Sequence, residues 1–379
     1  MIRRSIGAIA ALALTGVLVA GCASSPPSDP GSTAAPSGGT DSDKAELIAA
    51  AEALAEQFLT KPTELPGIEP ITTPVPTGKK IYYISASGAA HIAQFDAVKQ
   101  AADILGWEAV HLKSDGSAGA VQNDFQTAFR DGADGIIERF DSSLIAPSLQ
   151  EAKERGIPVV GVGQNLEAGD ELIYAAFRPA HNLDYGTAWA SWLVADSQAS
   201  AHVLYVILAG VPIYQATLDF FTGELDRLCG DGCSIDVLEV PSSTPADQIP
   251  NEIATAARRY PDANYIVMPV AAWATGLRAA LQSAGIADKL KVIGANSVAA
   301  TYPLIRNGEV TADLPFPGIE AMFLAMDAFA RYYTDTPIDT DTEVPTWLIT
   351  KDTVPDNAED GLFEQVAGAV DQFKKAWGK

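Results

Sequence analysis

Histidine is scarce in this chain, with four in 379 residues, and cysteine is scarcer still, with three. No two histidines stand at a paired metal-ligand spacing, so neither a metal centre nor a cofactor is expected. Positive charge is also short. Lys and Arg total 25 against 48 Asp and Glu, a formal net charge of −23. That balance excludes the broad basic patch needed to hold nucleic acid or an anionic membrane surface. The catalytic fingerprints Gly-x-Ser-x-Gly, His-Glu-x-x-His, the P-loop and the dinucleotide motif are all missing. So few histidines weaken general acid–base schemes, although carboxylates remain available for them.

The N-terminus carries a processing pattern. Arg3 and Arg4 precede an apolar stretch, Ser5 to Ala20, that is slightly too short to span a bilayer. It ends in Leu18-Val19-Ala20-Gly21-Cys22, which resembles a bacterial lipobox, with cleavage before Cys22 and lipid on its thiol. An ordinary secretory signal with an incidental cysteine is the other reading. Residues 1–21 are thus expected to be a lipoprotein signal peptide and 22–43 a flexible tether, rich in Ser, Pro and Gly and spanning on the order of 25 Å. The mature protein would be moored outside the cytoplasm by lipid, without a transmembrane helix. Residues 44–78 read as an accessory helix and a strap. Asp43-Lys44-Ala45-Glu46 has capping-box spacing, and Leu47, Ala51, Leu54 and Phe58 form one stripe. Pro62, Pro66, Pro70, Pro74 and Pro76 keep the following chain extended.

From Lys79 onward about 300 residues remain, enough for two domains. Ile81-Tyr82-Tyr83-Ile84-Ser85-Ala86 is a strand without alternation, as in a parallel sheet covered on both faces. Phe95, Val98, Ala102 and Leu105 then recur at helical spacing, Gly106 supplies a stop, and Ala109 to Leu112 is the next strand. The same rhythm predicts strands at 135–138, 158–162 and 173–177. It restarts with a helix over 182–196, whose Trp189 and Trp192 read as core, and gives strands at 202–208, 235–240, 265–268 and 292–294. This is an α/β chain of two doubly wound parallel-sheet lobes, and the cleft between their strand-end loops is the default ligand site. Cys229 and Cys233 flank a Gly-Asp-Gly turn. In an exported protein they make a small disulfide loop, the alternative being free thiols.

Four stretches carry a more specific resemblance: Ile81 to Phe95, Gly156-Ile157-Pro158-Val159-Val160, the helix Leu277 to Gly285, and Val292-Ile293-Gly294 with the Asn296 loop. From Lys80 to about Thr350 the chain resembles the type I periplasmic binding proteins of sugar ABC transporters, the ribose-binding group. The resemblance implies a three-strand hinge near Arg178, Phe316 and Pro345. Lobe one would be 79–178 plus 316–345, and lobe two 179–315 plus 346–379. It also implies a ligand held between lobes by Asn, Asp, Arg and Gln and sandwiched by aromatic rings.

On that pattern the candidate ligand-binding residues are His91, Phe95, Arg139, Asp141, Gln164, Tyr214, Trp273, Asn296 and Phe316. Each has a plainer reading. Phe95 lies on an apolar helix face, Trp273 can pack, Arg139 and Asp141 can pair with each other, and His91 can be a solvated loop residue. The chain departs from the family's polar set. Gly163-Gln164 replaces Asp-Arg, Tyr214-Gln215 stands where Arg is typical, Pro269 to Trp273 replaces Asn-Asp, and Asn296 replaces Asp. These changes remove charge and add ring surface, so an uncharged sugar, polyol or sugar-like molecule is expected, with an aromatic or amphipathic small molecule as the alternative. The expected partner is an ABC permease, served by a monomer. A sensor receptor signalling to a membrane kinase would share the same binding domain, and an extracellular enzyme is the remaining class. A transcription regulator of this fold would need a helix-turn-helix where the lipobox and tether stand.

Overall fold

The computed structural model describes residues 41–379 except 164–167, 170 and 177–180, and leaves aside the side chains of 41, 142–143, 181–183, 212 and 360. The proposed signal peptide, Cys22, Gln164 and Arg178 therefore lie outside the described residues. No helix among those described is long and apolar enough to cross a membrane.

The chain opens with α1 (Asp41–Leu59) and then builds a first sheet. Its strands are β1 (Lys80–Ala86), β2 (Glu108–Ser114), β3 (Gly135–Glu138), β4 (Val159–Val162) and β5 (Tyr174–Ala176). The crossovers α2 (Ala89–Leu105), α3 (Ala118–Arg130) and α4 (Ser142–Arg155) connect them, giving an all-parallel order β2-β1-β3-β4-β5. Successive side chains of β1 enter two different cores. Ile81 and Tyr83 pack on one face, while Tyr82 and Ile84 pack on the other. That double burial is why the strand shows no alternation. Gly106 ends α2 at φ 74°, a left-handed position that glycine occupies without penalty, and its N–H closes on Ala102 and Asp103.

The second sheet follows α5 (His181–Ser197). Its strands are β6 (His202–Leu208), β7 (Ser234–Val240), β8 (Tyr265–Val267), β9 (Lys291–Ala295), β10 (Ala312–Leu314) and β11 (Ile349–Thr350). Helices α6 (Pro212–Cys229), α7 (Ile249–Arg259), α8 (Leu277–Ser283) and α9 (Tyr302–Arg306) fall between them. The order is β11-β10-β9-β8-β6-β7, parallel apart from β11, which runs antiparallel to β10. Trp189 is fully buried against this sheet and donates Nε1–H to the Gly294 carbonyl at 3.2 Å. Cys229 and Cys233 form a disulfide at the end of α6, with Cα atoms 5.8 Å apart.

The ends of the chain differ from expectation. The segment 346–379 was assigned to the second lobe, but only its first part stays there. Trp347, Ile349, Val354, Ala358 and Phe363 join the second core. Val366, Phe373 and Trp377, with α11 (Ala369–Ala376), return to the first, against α10 (Gly318–Tyr332). The reason is apolar shape: Trp377 stacks on Phe323 at 5.8 Å, and Phe373 meets Phe323 at 5.4 Å. Conversely α1 packs on α5 and α6 of the second sheet, while the strap's Leu65, Ile71 and Val75 belong to the first core. Asp327 ties the strap and both C-terminal helices together. It accepts from Arg331 Nε at 2.6 Å and Trp377 Nε1 at 2.8 Å, and Arg331 Nη2 reaches the Glu69 carbonyl at 2.6 Å.

Three buried carboxyl groups give the fold a pH signature. Burial pushes Glu138 up to about 8 and Asp313 and Glu320 up to about 7. An acid raised in the folded state stabilises it fully below the unfolded value of about 4, and the contribution is lost as pH rises through the folded value. His91 and His111, both lowered chiefly by burial, act with the opposite sign, but only up to about 6.5. The melting temperature is therefore expected to fall between about pH 6.5 and pH 8.5, and Glu320→Gln to flatten that slope. Thermal melts across the range check it, and a rising curve contradicts the assignment.

Candidate ligand-binding cleft

A cavity of about 460 Å³ lies where loops from the strand ends of both sheets meet. From the first sheet it receives the opening turns of α2, including Ala90, His91 and Gln94, then Arg139 after β3 and Gly163 after β4. From the second come Ile213 and Tyr214 at the start of α6, Val270 after β8, and Asn296 to Ala300 after β9. Phe316, between β10 and α10, and Gly361-Leu362 from the C-terminal segment complete the wall. Every strand-end contribution comes from a carboxyl end, as parallel sheets require of their ligand crevices.

Arg139 dominates the electrostatics. Its Nε and Nη1 are buried without a hydrogen-bond partner. Its guanidinium carbon lies 5.3 Å from the Phe316 ring centre. Gly163 lies beside it at φ 79°, and a Cβ there would stand 3.3 Å from Nη1. A cation over a ring returns about 0.5–2 kcal/mol, whereas an unpaired buried charge costs several. The ring alone therefore does not offset the burial. Glu138 precedes Arg139 in sequence but is itself buried, and burial pushes its pKa up to about 8. Its Oε2 accepts from the Phe140 N–H at 2.7 Å.

The remaining polar groups are oriented by their neighbours. Gln94 Oε1 accepts from the Tyr83 hydroxyl at 2.8 Å, which leaves its amide N–H groups as donors. His91 Nδ1 is buried without a partner, and burial, with Arg139 adding to it, lowers its pKa. Asn296 sits at φ 59°, a left-handed position that Asn tolerates. Its Nδ2 donates to the Pro269 carbonyl at 2.9 Å, so its Oδ1 remains as an acceptor. Ser297 is buried, and its hydroxyl faces the buried Asp313 carboxyl.

Of the residues the sequence pointed to, His91, Arg139, Tyr214, Asn296 and Phe316 come together on this wall. Phe95, Asp141 and Trp273 do not. Phe95 stacks on His111 at 4.7 Å and near Tyr83 at 6.1 Å, behind the cavity. Trp273 belongs to the second core and presents its ring to Tyr214 edge-on, with centres 6.1 Å apart. It supports a wall residue without lining the wall. Gln164 lies outside the described residues. Sequence reasoning passed over Gln94, Ser297 and Leu362. Gln94 had a usable signal, standing three residues after His91 on the same helical face.

The family described as periplasmic binding protein domain matches residues 81–332. The chain belongs to that family. By that family it is a binding protein of the periplasmic kind. No curated protein sequence matches the chain significantly. Among solved structures, a periplasmic ribose ABC transporter protein from Conexibacter woesei is similar at 18% identity and TM-score 0.66, over 80% of this chain and 100% of that one. The 5-methylthioribose transporter solute-binding protein of Thermotoga lettingae aligns at 18% identity and TM-score 0.63, over 82% and 95%. A solute-binding protein from Agrobacterium vitis with bound allitol aligns at 20% and 0.61, over 73% and 97%. These likenesses establish a shared fold.

The division of labour between Trp273 and Tyr214 is testable. Trp273→Ala, a truncation in the second core, is expected to cost about 3–5 kcal/mol in urea unfolding, and Tyr214→Phe less than about 1 kcal/mol. Comparable losses from both would contradict the placement.

Proposed function

We propose that this protein captures a small sugar, polyol or sugar-like molecule in the cleft and delivers it to the permease of an ABC importer. The observation that carries the reading is the cavity itself, of a size ordinary for small-molecule sites and walled by loops of both sheets. A solute touching both lobes stabilises whichever arrangement brings them together, so binding and closure are one equilibrium. The hinge would flex at the passes near Arg178, Phe316 and Pro345. His91, Gln94, Arg139 and Asn296 are suited to pair with hydroxyl groups. Tyr214 and Phe316 are suited to cover C–H faces.

The apolar side chains of Ile213, Val270, Val298 and Leu362 favour a second reading, an amphipathic small molecule with one polar end. The similarity to a 5-methylthioribose receptor is compatible with either. Lipid on Cys22 would hold the protein at the membrane through its tether, as a monomer.

Two measurements check the reading. A thermal-shift screen of sugars, polyols and aromatic acids is expected to raise the melting temperature with ligand concentration. Asn296→Ala, which removes a wall acceptor, is expected to lose most of that shift while melting within a few degrees of the parent when no ligand is added. A full shift in the variant would remove Asn296 from the site. Separately, Cys22→Ala in cells is expected to move the protein from the membrane fraction into the soluble one, and unchanged membrane retention would end the lipid-anchor reading.

A further inference from the structure

We propose that the solute carries a carboxylate and that Arg139 receives it, which narrows the sugar-like class to its acidic members. This rests on the cleft being the solute site. Among the described residues no Asp or Glu lines the cavity, and Arg139 is the one side chain there with a fixed charge. Two of its donor nitrogens are buried without an acceptor. Gln94 adds donors to the same wall. Its amide keeps its N–H groups because Tyr83 occupies its oxygen, and His91 presents an unpartnered ring nitrogen that donates or accepts according to its tautomer.

Two helices also begin at this wall. α2 contributes Ala89 and Ala90, and α6 contributes Ile213 and Tyr214. Neither helix has a side-chain cap or an acidic residue in its first turn. Their uncapped ends add positive potential where the guanidinium already lies. Glu138 turns one oxygen to the Phe140 N–H, and burial raises its pKa, which weakens its opposing charge. A neutral hydroxyl could accept one of these hydrogen bonds but would leave the guanidinium charge unbalanced. A carboxylate supplies two acceptor oxygens and the opposite charge, the geometry to which a guanidinium fork is matched. On the facing wall Asn296 Oδ1 remains for the solute's own hydroxyls, and Val270, Val298 and Leu362 for its C–H groups.

The test is titration calorimetry on the mature chain with three matched pairs: gluconate with glucitol, xylonate with xylitol, and glucuronate with glucose. At least one acid is expected to bind about tenfold or more tightly than its neutral partner. Arg139→Gln is expected to lose that preference, with affinity for the acid falling about tenfold to a hundredfold. Its melting temperature without ligand should hold or rise, because an unpaired buried charge is removed. Arg139→Lys keeps the charge without the fork and should fall between. Should Arg139→Gln fail to fold, the pairs on the parent protein still decide. A neutral member binding as tightly as its acid overturns the carboxylate proposal and leaves the receptor reading standing. Silence from all six compounds overturns both.

Discussion

Glu320 lies in the first turn of α10 with no exposed surface, and its Oε1 accepts the N–H groups of Gln365 and Val366 at 2.6 and 2.9 Å. Gln365 in turn donates Nε2–H to the Pro315 carbonyl at 2.8 Å, and the Tyr185 hydroxyl reaches the same oxygen at 3.2 Å. This small network binds together two of the chain's passes between the sheets, one at 315–317 and one at 364–366. It also brings Phe316 and Leu362 to the cavity. The approach is close enough that a Cβ on Gly318 would stand 2.8 Å from Leu362 Cδ1. Burying the carboxyl is costly, and two backbone donors and a raised proton affinity offset part of that cost, while Oε2 stays buried without a partner. The passage on which the rest of the cleft depends is therefore held by hydrogen bonds and close packing, with no ion pair in it.

Much of this architecture was legible because it is local. Doubly buried strands announce themselves as apolar runs, and helices by their 3.6-residue period. A residue just past a parallel strand faces the crevice by topology, which is why His91, Arg139, Tyr214, Asn296 and Phe316 could be picked out one at a time. Phe95 and Trp273 show where that logic stops. Phe95 sits well inside α2 and Trp273 in a short 3-10 turn after β8, where rotation of the backbone decides between wall and core. That rotation is set by neighbours distant in sequence, His111 and Tyr83 for one and the second core for the other.

The chain ends were illegible for a related reason. α11 presents Val370, Phe373 and Trp377 as an apolar stripe, but a stripe does not name its partner. Here the partners are Phe323 on α10 and the strap, whose Leu65 amide donates to Gln372 Oε1 at 3.0 Å. Because α1 rests on one sheet and the strap on the other, the N-terminal extension is an additional pass between them. It is fixed to the last one through the Ala367 amide and the Pro62 carbonyl at 2.8 Å. An expectation of three passes counted only those of the core fold.

Reading charge from composition has the same weakness. The net value of −23 is carried mainly by side chains in contact with water. At physiological salt such charges are screened within about 8 Å. A guanidinium with buried nitrogens is screened far less, and its influence on anything entering the cavity grows as water leaves. An acidic surface and a cationic pocket are thus compatible in one molecule, each acting in its own range.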